Sequence, residues 1–192
     1  MTGTTNLAKQ HYNMGNIRAI VFDLGGVLMQ ENDYPLSKTE QLLEQQFGKI
    51  NTNEAYYAWA TKTTHLSEKE IKDITEDIIT NIYDMRDYAI FEHLPNIKLA
   101  IASNHLSAIN KRIDNMEIRS KFCCILISAD IEIEKSNEKF YERLLIELQE
   151  QPENILFVDD DIKNIAIAKN KWFVTLHYDH SKNITEEVVK HI

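Results

Sequence analysis

The sequence is short of cysteine. Its only two, Cys123 and Cys124, are adjacent, and neighbouring cysteines make poor disulfide partners for each other. A disulfide scaffold is therefore not expected, and inside "FCCILIS" the pair reads as small core hydrophobes in a reducing compartment. Long hydrophobic runs are also missing. No stretch approaches the roughly eighteen apolar residues of a membrane-spanning helix, so no membrane partner is expected. The first sixteen residues, "MTGTTNLAKQHYNMGN", lack the apolar segment of a signal peptide. They read as a polar tail with little to bury, partly disordered, and the protein is expected to be cytoplasmic. The five glycines form no glycine-rich phosphate loop. Basic charge is scarce: 21 Lys and Arg stand against 30 Asp and Glu, a formal net charge of −9. That balance argues against a nucleic-acid partner. It leaves a phosphorylated small molecule open, because a local site can be positive on an acidic protein.

What is present is enough for one real core. A chain of 192 residues, 43% hydrophobic and 27% charged, fits a soluble domain, or one domain with an inserted subdomain. Five apolar runs stand out: 17–24 "IRAIVFDL", 97–103 "IKLAIAS", 122–128 "FCCILIS", 154–160 "NILFVDD" and 172–178 "WFVTLHY". They are continuous rather than alternating, as strands of a parallel sheet covered on both faces are. Helical patterns lie between the later runs: "LSAINKRIDNM", "NEKFYERLLIELQE" and "IKNIAIAKN". This alternation predicts an α/β fold with a doubly wound, Rossmann-like parallel sheet.

The interval after the first run is too long for one crossover helix. It reads as helices over roughly 37–48, 53–64 and 67–84. The last opens on Ser67 with Glu70 three residues later, a capping box. Ile71, Ile74, Ile78 and Ile82 then make a helical stripe. Tyr56, Tyr57 and Trp59 at helical spacing read as the core of such an insert. The expected organisation is a tail over 1–16, an α/β core over 17–30 and 91–192, and a helical cap insertion over 31–90. An insert leaving the carboxyl edge of the sheet would sit over a ligand site as a lid.

That same edge collects the polar residues. The first run ends in Asp23, the second in Ser103 and Asn104, the fourth in Asp159, Asp160 and Asp161, and Lys135 follows the third. Singly, Asp, Ser and Asn past a strand are ordinary helix caps, and a lone lysine is ordinarily a solvated charge. Together, at successive strand ends, they form one constellation. Consecutive carboxylates repel one another, and a metal ion relieves that. His105 follows Ser103 and Asn104, where it either reaches the site or lies on the surface. His11, His177, His180 and His191 show no ligand-like clustering in sequence.

Here the sequence resembles the haloacid dehalogenase-like hydrolases, in the subgroup with a helical cap after the first strand, which includes sugar-phosphate phosphatases. "VFDLGGVL", "IASN", "ISADIEIEKSNEKFYE" and "ILFVDDDIKN" resemble that family's four motifs in order, across about residues 17–178. The resemblance implies a Mg²⁺-dependent phosphatase acting on a small phosphorylated metabolite. It implies Asp23 as nucleophile, Ser103, Asn104 and Lys135 as phosphate-binding groups, and Asp23, the Gly25 carbonyl and Asp160 as metal ligands with Asp159 in support. Lys135 is preferred to Lys139, because Phe140 and Tyr141 then fall at the family's aromatic spacing.

The sequence departs from that pattern at three positions. Glu132 and Ser136 stand where the family often has Gly and Pro. More consequentially, Gly25 stands where phosphatases of the family carry a second Asp, the general acid and base. Three consequences are open: a substrate with a good leaving group such as a sugar 1-phosphate or acyl phosphate; a substitute acid, for which His65 and Glu31 are candidates by type; or a catalytically weak member that binds a phosphorylated ligand or a protein partner. The family's dehalogenases also lack the second Asp and work without metal, but they do not need the acidic cluster "VDDD". The substrate and the oligomeric state stay open.

Overall fold

The computed structural model describes residues 16–50, 52–94 and 96–192, so the polar tail before Asn16 lies outside the described residues. A five-stranded parallel sheet forms its centre, built from β1 (Ala19–Phe22), β4 (Lys98–Ser103), β5 (Cys124–Ile127), β6 (Ile155–Asp159) and β7 (Val174–His177), in the order β5-β4-β1-β6-β7. Each strand sits inside one of the five apolar runs. The reason is burial on both faces: Ile20 and Phe22 of β1 join one hydrophobic cluster, while Ala19 and Val21 join the other. The chain winds from β1 out to β5 on one side and then from β6 to β7 on the other. The winding therefore reverses between β1 and β6, where open α/β sheets form a crevice at their carboxyl ends.

The helices of the second cluster come from the later patterns. In α7 (Glu138–Leu148), Phe140, Tyr141, Leu144 and Leu148 are buried on one face. In α8 (Ile162–Asn170), Ile165 and Ala168 are. The first cluster is shared with the insert. Between β2 (Met29–Glu31) and β3 (Tyr83–Met85) run α1 (Lys38–Glu44), α2 (Asn53–Thr64) and α3 (Glu68–Ile82). The capping box of α3 forms as expected, with the Glu70 N–H donating to Ser67 Oγ and the Ser67 N–H to Glu70 Oε2. Its buried stripe is Ile71, Ile78, Ile79 and Ile82, with Ile74 only partly covered. Each such isoleucine stabilises the packing by about 1.5–3 kcal/mol over an exposed position. Tyr56 is buried among them, and Trp59 packs against the same cluster.

Several details differ from the sequence reading. The helix expected to reach residue 84 stops at Ile82, because Tyr83–Met85 pair antiparallel with Met29–Glu31. This two-stranded ribbon carries the chain into and out of the helical insert. Cys123 is exposed rather than in the core, because it precedes β5; Cys124 alone is buried, and both thiols are free. Trp172 is exposed in a left-handed turn before β7. Among the described residues, no helix is long and apolar enough to cross a membrane.

Candidate active site

Asp23 follows directly on β1. Its N–H donates to the Val158 carbonyl at 2.9 Å, so the residue stays in register with β6 one step past its own strand. The chain then folds tightly: the Gly26 N–H donates to the Met29 carbonyl and the Met29 N–H to the Leu24 carbonyl. This turn leaves the Asp23 carboxylate at the strand end, with Oδ1 accepting from the Leu24 N–H at 2.7 Å.

Lys135 compensates the carboxylate at the end of this buried strand. Its Nζ donates to Asp23 Oδ2 at 2.5 Å and to Asp159 Oδ2 at 2.8 Å. Its side chain is 2% exposed. Burial alone would push the ammonium towards neutrality, but the two carboxylates outweigh it and hold the lysine above its ordinary value. Burial and the neighbouring Asp23 push the Asp159 carboxyl upward, against the pull of Lys135. The backbone at Lys135 is fixed as well, since its N–H donates to Asn104 Oδ1 at 2.9 Å. Lys139 is exposed on α7.

Asp159, at the end of β6, is fully buried. It also accepts from the Asp161 N–H and from Asn164 Nδ2. Asp160, the next residue, accepts from His180 Nε2 at 3.0 Å on Oδ2. Asp23, Asp159 and Asp160 each offer a carboxylate oxygen, and these oxygens lie within 4.8 Å of one another. An all-oxygen set of this kind suits a hard divalent cation such as Mg²⁺. Asp161 turns to a structural task and caps α8 by accepting from the Lys163 N–H. Ser103 is buried at the end of β4, beside β1.

Three residues near this edge were not legible as parts of it. Arg86 donates to the Gly26 carbonyl and lies over the Tyr178 ring. His180 and His177 both reach Asp160, His177 through the Asp160 carbonyl. His105 is buried rather than on the surface, between Phe47 and Tyr83, with Nε2 3.4 Å from the Tyr83 hydroxyl. Burial lowers its pKa to about 4. His65 ends α2 in a left-handed conformation, exposed to solvent. A cavity of about 490 Å³ opens beside the acidic cluster, lined by Gly26, Glu31, Tyr83, Arg86, Asp160 and His180 among others.

The fold has counterparts among solved structures. The chain is similar to a predicted HAD-like family hydrolase from Porphyromonas gingivalis, at 20% identity over 91% of this chain and 97% of that one, with a TM-score of 0.70. It is similar to a HAD family enzyme from Bacteroides thetaiotaomicron in complex with magnesium and inorganic phosphate, at 14% identity over 87% and 96%, TM-score 0.67. It is also similar to the L-2-haloacid dehalogenase from Xanthobacter autotrophicus, at 20% identity over 83% and 76%, TM-score 0.63. At these identities the likeness is one of fold. No curated protein matches in sequence. The family model for haloacid dehalogenase-like hydrolase matches residues 17–170, a span that holds the whole sheet edge from Asp23 to Asp160 and all but the last strand of the sheet. By sequence, and with a sheet that agrees, the chain belongs to the haloacid dehalogenase-like hydrolases.

Proposed function

We propose that the protein is a Mg²⁺-dependent phosphatase that hydrolyses a small phosphomonoester, a sugar phosphate among the candidates, through an aspartyl-phosphate on Asp23. The observation that carries this is the convergence of Asp23, Asp159 and Asp160 within 4.8 Å of one another, with a buried lysine paired to the first two. A dehalogenation that needs no cation has no use for the third carboxylate. The Bacteroides relative, which holds magnesium and inorganic phosphate, agrees with the same chemistry.

An Asp23 carboxylate oxygen bonds to phosphorus as the ester oxygen–phosphorus bond breaks, and the departing ester oxygen takes a proton to leave as the alcohol. Lys135 keeps the attacking carboxylate oriented through its 2.5 Å contact and balances charge as a point cation. The Ser103 hydroxyl and the Asn104 backbone N–H receive phosphoryl oxygens. Water then releases phosphate and restores Asp23. A magnesium ion held by Asp23, the Gly25 carbonyl and Asp160, with Asp159 in support, would screen the repulsion between two anions. The helices α1 to α3 act as the cap over this edge.

The competing assignment, a member that binds a phosphorylated ligand without turning it over, is favoured by Gly25 alone. Hydrolysis of an aryl phosphate separates the two, because a good leaving group removes the need for a strong acid. Activity that requires both Mg²⁺ and Asp23 is expected. Rates for the native chain no higher than for Asp23→Asn would sink the phosphatase assignment.

A further inference from the structure

Gly25 leaves the proposed phosphatase without a side-chain acid beside its nucleophile. A Cβ built at Gly25 meets nothing within 4 Å, so the space above the nucleophile's turn is open. Gly25 bridges to Met29, the first residue of β2. Two residues on, Glu31 pairs with Tyr83 across the ribbon. Residues paired in this way present their side chains on one face. Tyr83 reaches His105, the residue after Asn104, so this face looks onto the sheet edge. Burial first, then Glu31, Glu44 and Asp23 together, drives the Tyr83 hydroxyl away from ionising.

The cavity beside the acidic cluster narrows the choice of proton donor. Arg86 is permanently charged and cannot give up a proton. The Tyr83 hydroxyl is engaged with His105. His180 Nε2 is engaged with Asp160 at 3.0 Å, and Asp160 belongs to the carboxylate cluster. Glu31 also lines the cavity, is exposed, and has no hydrogen-bond or ion-pair partner among the described residues. His65 does not line that cavity.

We propose that Glu31 is the general acid and base of this site, standing in for the side chain that Gly25 lacks, and that the enzyme is thereby equipped for alkyl phosphomonoesters with poor leaving groups. The proposal rests on the phosphatase assignment. In the first step, the Glu31 carboxyl gives its proton to the ester oxygen as the bond from that oxygen to phosphorus breaks and Asp23 bonds to phosphorus. An alcohol departs. In the second, the Glu31 carboxylate takes a proton from water as the water oxygen bonds to phosphorus and the Asp23–phosphorus bond breaks. The products are inorganic phosphate and the free Asp23 carboxylate, with Glu31 again protonated.

The test compares 4-nitrophenyl phosphate with a primary alkyl phosphate, by rapid mixing in Mg²⁺, for the native chain, Glu31→Gln, His180→Gln and Gly25→Asp/Glu31→Gln. General acid–base groups contribute about 10²–10⁴-fold. Glu31→Gln is expected to release a single equivalent of nitrophenolate at the native rate and then turn over at least about 10²-fold more slowly. On the alkyl phosphate it is expected to be slow from the start. Gly25→Asp in the same chain is expected to restore turnover on both. A purely structural role for Glu31 would slow both phases of the aryl reaction together, which overturns the proposal. Native-like rates for Glu31→Gln, or this split pattern in His180→Gln instead, also overturn it while leaving the phosphatase intact. A native chain no faster than Asp23→Asn on either ester overturns the phosphatase assignment, and this proposal with it.

Discussion

The Lys135 ammonium lies 2.5 Å from Asp23 Oδ2, across 112 residues of sequence, and 2.8 Å from Asp159 Oδ2. This single cation lets two acids sit side by side at the buried end of the sheet. Removing one partner of a buried ion pair costs about 3–5 kcal/mol, because the other charge is left uncompensated. Lys135→Met is therefore expected to lose about 3 kcal/mol of stability in chelator, read by urea unfolding. Asp159 is already pushed upward by burial and by Asp23. Without the lysine it rises further, so the loss is expected to shrink as pH falls and the carboxylates take up protons.

Cation binding can be followed without any substrate. Mg²⁺ that binds the folded chain alone stabilises it by about 2.7 kcal/mol at a hundred times its dissociation constant. Thermal unfolding is expected to shift upward with Mg²⁺ for the native chain. The shift is expected to shrink sharply for Asp160→Asn, which keeps the Lys135 contacts of Asp23 and Asp159 but removes a carboxylate from the cluster. Equal shifts for both chains would place the cation elsewhere.

The strands and the acidic edge were legible because burial on both faces writes continuous apolar runs, and each run ends where its polar residue begins. Lys135 was legible only through its spacing to Phe140 and Tyr141, both buried on α7. The ribbon of β2 and β3 was not. Its strands have three residues each, β2 is buried only at Met29, and the partner lies beyond three helices. His180 was illegible for a related reason. Its partner Asp160 is 20 residues earlier, and only the turn after β7 brings the ring back. Cys123 misled because an apolar run carries no mark of where the strand within it begins.

Gly26 is the glycine that the cluster depends on. Its φ is +77°, and a Cβ there would stand 2.4 Å from Asp160 Oδ2 and 3.0 Å from His180 Cε1. The left-handed backbone alone costs a non-glycine residue about 1–2 kcal/mol. Gly26→Ala is expected to lose at least that much and, by displacing Asp160, to weaken the Mg²⁺-induced shift in unfolding temperature. Gly25→Ala, whose Cβ meets nothing, is the control and is expected to keep the Mg²⁺ shift.

His105 makes the fold sensitive to acid. Burial lowers its pKa to about 4, against about 6.5 in an unfolded chain. Between those values the unfolded chain binds a proton that the folded chain refuses, so stability rises with pH. The contribution is intact above about pH 6.5 and is lost as pH falls towards 4, amounting to roughly 3 kcal/mol at 1.36 kcal/mol per unit. Unfolding measured from pH 7 to 4 is expected to show this slope, and His105→Leu is expected to flatten it.

Glu132 tests how the Lys135 turn is built. It stands where the family resemblance leads one to expect glycine, and the structure shows the physical reason for that expectation. Glu132 ends the short helix Ser128–Ile131 at φ 54°, ψ 29°, with its N–H donating to the Ser128 carbonyl. A side chain in this left-handed region costs about 1–2 kcal/mol, while glycine costs about 0.5–1 kcal/mol in backbone freedom. Glu132→Gly is therefore expected to stabilise the protein by roughly 0.5–1 kcal/mol in urea unfolding. Glu132→Ala, which keeps a Cβ in the same conformation, is expected to gain nothing. The gain is expected to leave the Lys135 contacts unchanged, because Lys135 is held from the other side by Asn104 Oδ1 and by the two carboxylates. An increase in stability accompanied by loss of Mg²⁺-dependent phosphatase activity would mean that the strain at Glu132 itself positions the lysine.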